Sequence, residues 1–362
     1  MGRFDRLEGR MARLKSAGLE RTLRPLTMTG PTTGQLDGRP VDVFCSNDYL
    51  GLAHHPDVRA AWSHGAGAGS ARLICGDRPA HHALEDALGD LYGRPATLLS
   101  SGYHANLALL STLLQSRDVV ASDALNHASI IDGVRLSRAQ KVILPHNQPD
   151  AIPQDTTMAI IEGLYSMDGD RPDVRAFQGE HWLAVDEAHA FGAIGPQGKG
   201  VAADQGAEPD FLLGTLGKSI GAYGAFIIGP PALRALLLCQ GRTFIFTTGL
   251  PEPVAAAALA GLKQMRNGEA RGQLQENTRR LRRGLDDLGV DAMGKDHIVP
   301  IVLGERTMDV ADQLRKSGMV VPGIRPPTVA PGTERLRISV SAAHTPDQID
   351  RMLDALHGAL HA

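Results

Sequence analysis

The stretch HWLAVDEAHAFGAIGPQGKG, residues 181–200, and the stretch DFLLGTLGKSIG, residues 210–221, share one plan. In each, a short apolar run stops at polar side chains. Trp182 to Val185 ends at Asp186 and Glu187, with His189 just after, and Phe211 to Leu213 ends at Thr215 and Lys218. Unbroken apolar runs of this length suit strands buried on both faces. In an open α/β sheet, ligands occupy the crevice beyond the carboxyl ends of the strands, so Asp186, His189, Thr215 and Lys218 are expected to converge on one pocket. An acid, an imidazole and a lysine together suit a cofactor that carries an aldehyde and a cationic ring nitrogen. The lysine forms the Schiff base and the acid holds the ring proton. Pyridoxal 5'-phosphate has both groups.

The same rhythm repeats to either side. Strands are expected at 96–99, 118–122, 141–144, 158–162 and 225–228, with helices at 103–114 and around Ile130, Ile131 and Val134. Alternating strands and helices give a mostly parallel sheet with right-handed crossovers. The turn Ser100, Ser101, Gly102 feeds a helix beginning at Tyr103. Unpaired backbone N–H groups and the helix dipole make such a turn an anion site, suited to the cofactor's phosphate. His127 stands where the strand at 118–122 passes into the next helix, and its ring is placed to stack on a planar group. Each feature also has a plain structural reading: an ordinary turn, a helix cap, and a buried ion pair between Asp186 and Lys218.

Beyond the sheet the pattern changes. Helices at 254–265 and 270–288 meet at Asn267 and Gly268, and short strands at 298–303, 319–321 and 335–340 alternate with helices at 309–316 and 346–360. The expected division is an N-terminal arm at 1–40, a large cofactor-binding domain at 41–267 and a small α+β domain at 268–362. Within the arm, Leu7, Met11 and Leu14 at helical spacing imply a surface helix lying on another body. The stretch 25–39 is rich in Pro, Gly and Thr and reads as loop. A strand at 41–45 and a helix at 56–64 follow.

Composition narrows the function. Of 362 residues, 43% are hydrophobic, enough for a sizeable core, and Lys plus Arg number 37 against 40 for Asp plus Glu. That balance supplies no global field for nucleic acid or an acidic membrane. Cys45, Cys75 and Cys239 are few and widely spaced, as expected of reduced thiols in the cytoplasm. The pair His81 and His82 has no second pair at metal spacing, so no metal site is expected. No signal-type apolar core opens the chain, and the longest apolar run, 254–262, is too short to span a bilayer.

Two nucleotide motifs fail on inspection. GAGAGSARLICG at 65–76 has Ser70 where a dinucleotide fingerprint needs its third glycine, and a helix where it needs a strand. Close backbone approach is the better reading, with Arg72 a candidate functional side chain. In LGTLGKSIG a P-loop would need a glycine at Leu212. A lysine between glycines suits a desolvated amine of lowered pKa, as a Schiff base requires.

The chain resembles the α-oxoamine synthases, a group within the fold type I pyridoxal-phosphate enzymes. The resemblance runs nearly end to end through SNDYLGL at 46–52, HALE at 82–85, SGYHAN at 101–106, LNHAS at 125–129, EGLYSMDGD at 162–170, VDEAH at 185–189, TLGKSIG at 215–221, and IRPPTV with RLRIS at 324–339. It implies that Lys218 holds the cofactor and removes the α-proton, while Asp186 pairs with the ring nitrogen. His127 stacks on the ring, and His189 with Ser166 contacts its phenolic oxygen. Ser101, Gly102, Tyr103 and Thr215 hold the phosphate, joined by Thr247 from a neighbouring subunit, so a homodimer with shared sites is implied. Arg337 meets the amino-acid carboxylate, and Arg21, Arg325 and Thr328 lie near the acyl or carboxylate end of the substrates. The implied reaction is a decarboxylative condensation of an amino acid with an acyl thioester. IRPPTV resembles the branch that joins L-alanine to a pimeloyl thioester, on CoA or a carrier protein, in biotin synthesis. RLICG at 72–76 resembles a form also seen in 2-amino-3-ketobutyrate CoA ligases, where the alternative amino acid is glycine or serine.

Overall fold

The computed structural model describes residues 3–62 and 65–362. Three short strands open the chain: β1 (Leu26–Met28), β2 (Thr33–Leu36) and β3 (Arg39–Val43). The middle contributes β4 (Ala96–Leu99), β5 (Val119–Asp123), β6 (Gln140–Leu144), β7 (Met158–Glu162), β8 (Trp182–Asp186), β9 (Phe211–Thr215) and β10 (Ala225–Ile228). The end contributes β11 (Ile298–Val302), β12 (Met319–Val320), β13 (Gly323–Ile324) and β14 (Arg335–Ser339).

The middle strands form one sheet in the order β4-β10-β9-β8-β7-β5-β6. From β9 to β6 all neighbours are parallel, while β10 runs antiparallel to both β9 and β4. This is the expected mostly parallel α/β sheet. Both faces are covered, which is why its strands read as continuous apolar runs. Ala184 and Leu213 face the helices Gly102–Leu113 and Ala128–Ser137, in a core with Leu109, Ile130 and Ile160. Leu183, Val185 and Leu212 face the opposite way, in a core continuous with the C-terminal unit through Leu281, Val299 and Ile338. Because β9, β8, β7 and β5 are successive neighbours, Thr215, Asp186, Glu162 and Asp123 stand in a row along one carboxyl edge.

The lysine turn is pressed against the NDYLGL segment. Gly221 has φ 72°, and a Cβ there would lie 2.2 Å from the Ala53 nitrogen. Only glycine permits both the left-handed backbone and that approach.

The N-terminal part departs from expectation. The stretch 25–39 is not loop: β1 and β2 form a hairpin, and β2 pairs with β3 through Asp37 and Gly38, both at positive φ. That Asp-Gly pair is a turn signal hidden among Pro, Gly and Thr. Next, β3 pairs in parallel with β12, Asp42 opposite Met319 and Val43 opposite Val320. Residues 26–43 therefore share a sheet with the C-terminal part, and the boundary expected at 41 falls inside that sheet. Gln348 and Arg351 reinforce the junction by donating to the Asp42 carboxylate at 2.7 Å each. The helix at 56 spans Pro56–Ala60, and the expected end at 63–64 lies outside the described residues. Unexpected is the helix Pro231–Gln240, which buries only Leu233 and Leu237. Among the described residues no helix is long and apolar enough to cross a membrane.

Candidate active site

Asp186 ends β8 with its carboxylate held by neutral donors alone. Asn106 Nδ2 donates to Oδ2 at 2.8 Å and the Ala188 N–H to Oδ1 at 2.9 Å. Among the described residues it forms no ion pair, so the plain reading of a buried Asp186–Lys218 contact does not hold. Beside it the buried Glu162 accepts the His127 N–H at 2.5 Å. Burial first, then the negative charge of Asp186, pushes the Glu162 carboxyl well above the usual range.

His127 caps the helix Ala128–Ser137. Its Nδ1 accepts from the Ser129 N–H at 3.2 Å and lies 2.7 Å from Ser129 Oγ. Burial holds its pKa down, against the pull of Asp186. The Lys218 amine is pushed down to about 8, mainly by removal from water, with Asp186 and Glu162 opposing and Arg337 assisting. These charges act on one another, so Lys218, Asp186, Glu162, His127 and Arg337 share one electrostatic neighbourhood. His189 belongs to it too. Burial, then Lys218 and Arg337, keeps its imidazole neutral.

β14 brings two arginines to the same turn. Arg335 Nη1 donates to Asp168 Oδ1 at 2.6 Å and forms an ordinary buried ion pair. Two residues on, Arg337 donates from Nε to the Ser166 carbonyl at 2.5 Å and from Nη1 to Ser339 Oγ at 2.8 Å, with longer contacts to Asn47 and Tyr49. All four are neutral. Arg337 is 5% exposed and has no carboxylate among the described residues. A buried guanidinium left unpaired is costly, which points to an anion supplied from outside.

Other expected residues stand further apart. Ser101 caps the helix Gly102–Leu113, accepting from the His104 N–H at 3.2 Å, which leaves the Gly102 and Tyr103 amides without an intrahelical partner. A Cβ at Gly102 would meet nothing within 4 Å, so this helix end faces open space. The Tyr103 hydroxyl donates to Asp132. Thr215 Oγ1 donates to the Gly224 carbonyl at 3.1 Å. Thr247 shares no hydrogen bond with the group around Asp186, but its loop is fixed by the Gly249 N–H donating to the Ser70 carbonyl at 2.9 Å. Arg21 donates to Thr328 Oγ1 at 3.4 Å, and Arg325 donates to the Gly18 and Glu20 carbonyls. These three line a cavity of about 690 Å³ with Leu26, Met308 and Val320, which includes neither Asp186 nor Lys218.

Sequence reasoning missed three residues. Asn106 orients Asp186 and reads as an ordinary helix position. Glu162 reads only as a strand end. Tyr49 reads only as part of the SNDYLGL motif, yet its hydroxyl lies 2.7 Å from His189 Nδ1. Arg72, left open, is bound by Glu85 at 2.5 Å and Asp77 at 2.7 Å.

Comparisons with known proteins identify the family. The family model described as aminotransferase class I and II matches residues 40–356. A "putative 8-amino-7-oxononanoate synthase" of Desulforudis audaxviator is 45% identical over 377 residues, covering 98% of each chain. The 8-amino-7-oxononanoate synthase of Methylococcus capsulatus is 40% identical, covering 97% of each. Among solved structures, the serine palmitoyltransferase of S. paucimobilis with a bound adduct of PLP and myriocin superposes with a TM-score of 0.92 at 31% identity, over 99% of this chain and 97% of that one.

Proposed function

From the premise that the chain belongs to the aminotransferase class I and II family, we propose that it joins L-alanine to a pimeloyl thioester with the help of pyridoxal 5'-phosphate. The products are 8-amino-7-oxononanoate, carbon dioxide and a free thiol, a step of biotin synthesis named by relatives that match almost end to end. The observation that carries the reading is Arg337: a buried guanidinium without a carboxylate of its own, in the same electrostatic neighbourhood as the Lys218 amine.

The residues present fit the cofactor. Asp186 offers a carboxylate with no cation of its own, and Gly102 and Tyr103 offer open amides. When bound, pyridoxal phosphate supplies an aldehyde for an amine and a protonated ring that draws electrons from the substrate's α-carbon. Asp186, oriented by Asn106, would pair with the ring nitrogen, and His127 would stack on the ring. His189 and Ser166 would meet the phenolic oxygen. Ser101, Gly102, Tyr103 and Thr215 would hold the phosphate. Arg337 binds the alanine carboxylate with its planar fork, and Lys218 takes the α-proton. The bond formed joins the alanine α-carbon to the thioester carbonyl carbon; the bonds broken release the thiol and then carbon dioxide. Arg21, Arg325 and Thr328 would lie near the acyl or carboxylate end of the substrates. In this reading the seven-stranded sheet and its carboxyl edge hold the cofactor, and the stretch 268–362 supplies the carboxylate-binding arginine.

The protein acts in the cytoplasm as a homodimer, with Thr247 reaching the partner's phosphate. Ile74 is 78% exposed and Phe246 73%, beside the Thr247 loop, and the helix Asp5–Ser16 buries none of Leu7, Met11 and Leu14. Apolar side chains so placed support a covering second copy.

The test offers pimeloyl-CoA to the loaded protein with L-alanine, glycine or L-serine in parallel and measures thiol release. Release with L-alanine alone is expected. Release with serine would favour the activity named for the structural neighbour, which superposes closely at lower identity.

Lys218 also sets a pH dependence. A protonated amine cannot attack an aldehyde, and this amine loses its proton around pH 8. Capture of pyridoxal phosphate by the cofactor-free protein is therefore expected to quicken as pH rises through about 8 and to level above it, followed by growth of visible absorbance. A rate unchanged across that midpoint would assign capture to another group.

A further inference from the structure

Tyr49 is fully buried and stands between two groups to which the proposed function gives separate work. Its hydroxyl lies 2.7 Å from His189 Nδ1, 3.0 Å from Asn47 Oδ1 and 3.4 Å from Arg337 Nη2. The ring is gripped from the C-terminal unit by His297, with centroids 4.1 Å apart. Its backbone is pinned as well, since the Ala342 N–H donates to the Tyr49 carbonyl at 2.8 Å. The hydroxyl is held from every side.

A phenol has one hydrogen to donate. Asn47 Oδ1 accepts only and Arg337 donates only, so the hydrogen goes either to Asn47 or to His189 Nδ1. If it goes to His189, the other ring nitrogen, Nε2, carries the imidazole proton and donates. If it goes to Asn47, His189 Nδ1 must donate to the phenol oxygen, and Nε2 is bare. The choice sets what His189 offers to the site. Arg337 occupies the same oxygen as a donor, so a carboxylate that draws the guanidinium toward itself alters the balance between the two arrangements.

We infer that Tyr49 is a positioning residue that links carboxylate capture at Arg337 to the tautomer of His189. This rests on the proposed function for the roles of its two ends, while the link itself is a feature of the fold. It ties β14 and the NDYLGL segment to the turn after β8 through a single oxygen.

The test is Tyr49→Phe, which keeps the ring and removes the oxygen. Nitrogen-15 signals of the His189 ring in the cofactor-free protein are expected to show an altered tautomer ratio. In the loaded protein, L-alanine is expected to bind about tenfold more weakly, the scale of one hydrogen bond to a charged group. L-Alanine is also expected to shift the His189 signals in the wild type but not in the variant. An unchanged tautomer ratio, or an alanine-induced shift that survives in the variant, would overturn the link. Should the variant not fold, fluorotyrosine at position 49 keeps the shape and strengthens the acid; unmoved His189 signals would then overturn it. Failure of the wild type to take up pyridoxal phosphate would count against the functional reading, and the cofactor-free signals would still judge Tyr49.

Discussion

Lys218→Ala is expected to lower thiol release by a factor of about 10⁴ or more and to abolish the visible absorbance gained with pyridoxal phosphate. Lys218 is the lysine whose charge acts on His127, Glu162 and His189. The amine is unusual in being driven toward its neutral form at near-neutral pH, by burial at the carboxyl edge of the sheet. The turn that carries it does not depend on the side chain. Its backbone is fixed by the Gly221 N–H donating to the Lys218 carbonyl at 2.9 Å and the Leu216 N–H donating to the Gly224 carbonyl at 2.9 Å. Removing a desolvated amine relieves a cost, so the variant should melt no lower than the wild type. Absorbance, thiol release and a melting curve on one preparation decide it. Turnover that survives would remove Lys218 from the centre of the reaction.

How much of this was legible in the sequence follows the reach of each interaction. β8 and β9 declare themselves because both faces are buried, and their polar ends lie at the crevice by the topology of any parallel sheet. Asp186 and Lys218 are thus local signals with a global meaning. Ser101 and His127 were legible as helix starts. Tyr49 was not: its partners lie 140 and 288 residues away, and nothing in SNDYLGL shows that a hydroxyl there will meet an imidazole and a guanidinium. Asn106 fails for a related reason. Its amide matters only because the helix Gly102–Leu113 crosses the sheet above Asp186. The pairing of β3 with β12 joins segments some 280 residues apart, and strand partners are chosen by hydrogen-bond completion rather than by local pattern. Glycines tell the same story. In the stretch 65–76 the close approach falls at Gly76, where a Cβ would sit 2.0 Å from the Ser70 carbonyl oxygen, while Cβ atoms at Gly65, Gly67 and Gly69 would meet nothing within 4 Å.

Arg337→Ala is expected to weaken L-alanine binding about a hundredfold, the scale of two charge-assisted hydrogen bonds, and to change kcat less than KM. The contrast with Arg335 makes this specific. Both arginines rise from the same face of β14 to the turn at 166–168, and both are buried. Arg335 finds Asp168, so Arg335→Ala leaves a carboxylate without its cation and should act on stability, lowering the melting temperature while alanine affinity changes little. Arg337 finds only neutral acceptors. Its removal leaves the Ser166 carbonyl short of one donor, a cost of about 1 kcal/mol, and relieves the burial of an unpaired charge. Affinity, not stability, should register the loss. Arg337→Lys keeps the charge but not the planar fork, so it should recover only part of the affinity. Alanine titrations of the three variants, set beside their melting curves, separate the two arginines. If Arg337→Ala melts early and binds alanine normally, the guanidinium braces the turn at Ser166 and the carboxylate is held elsewhere.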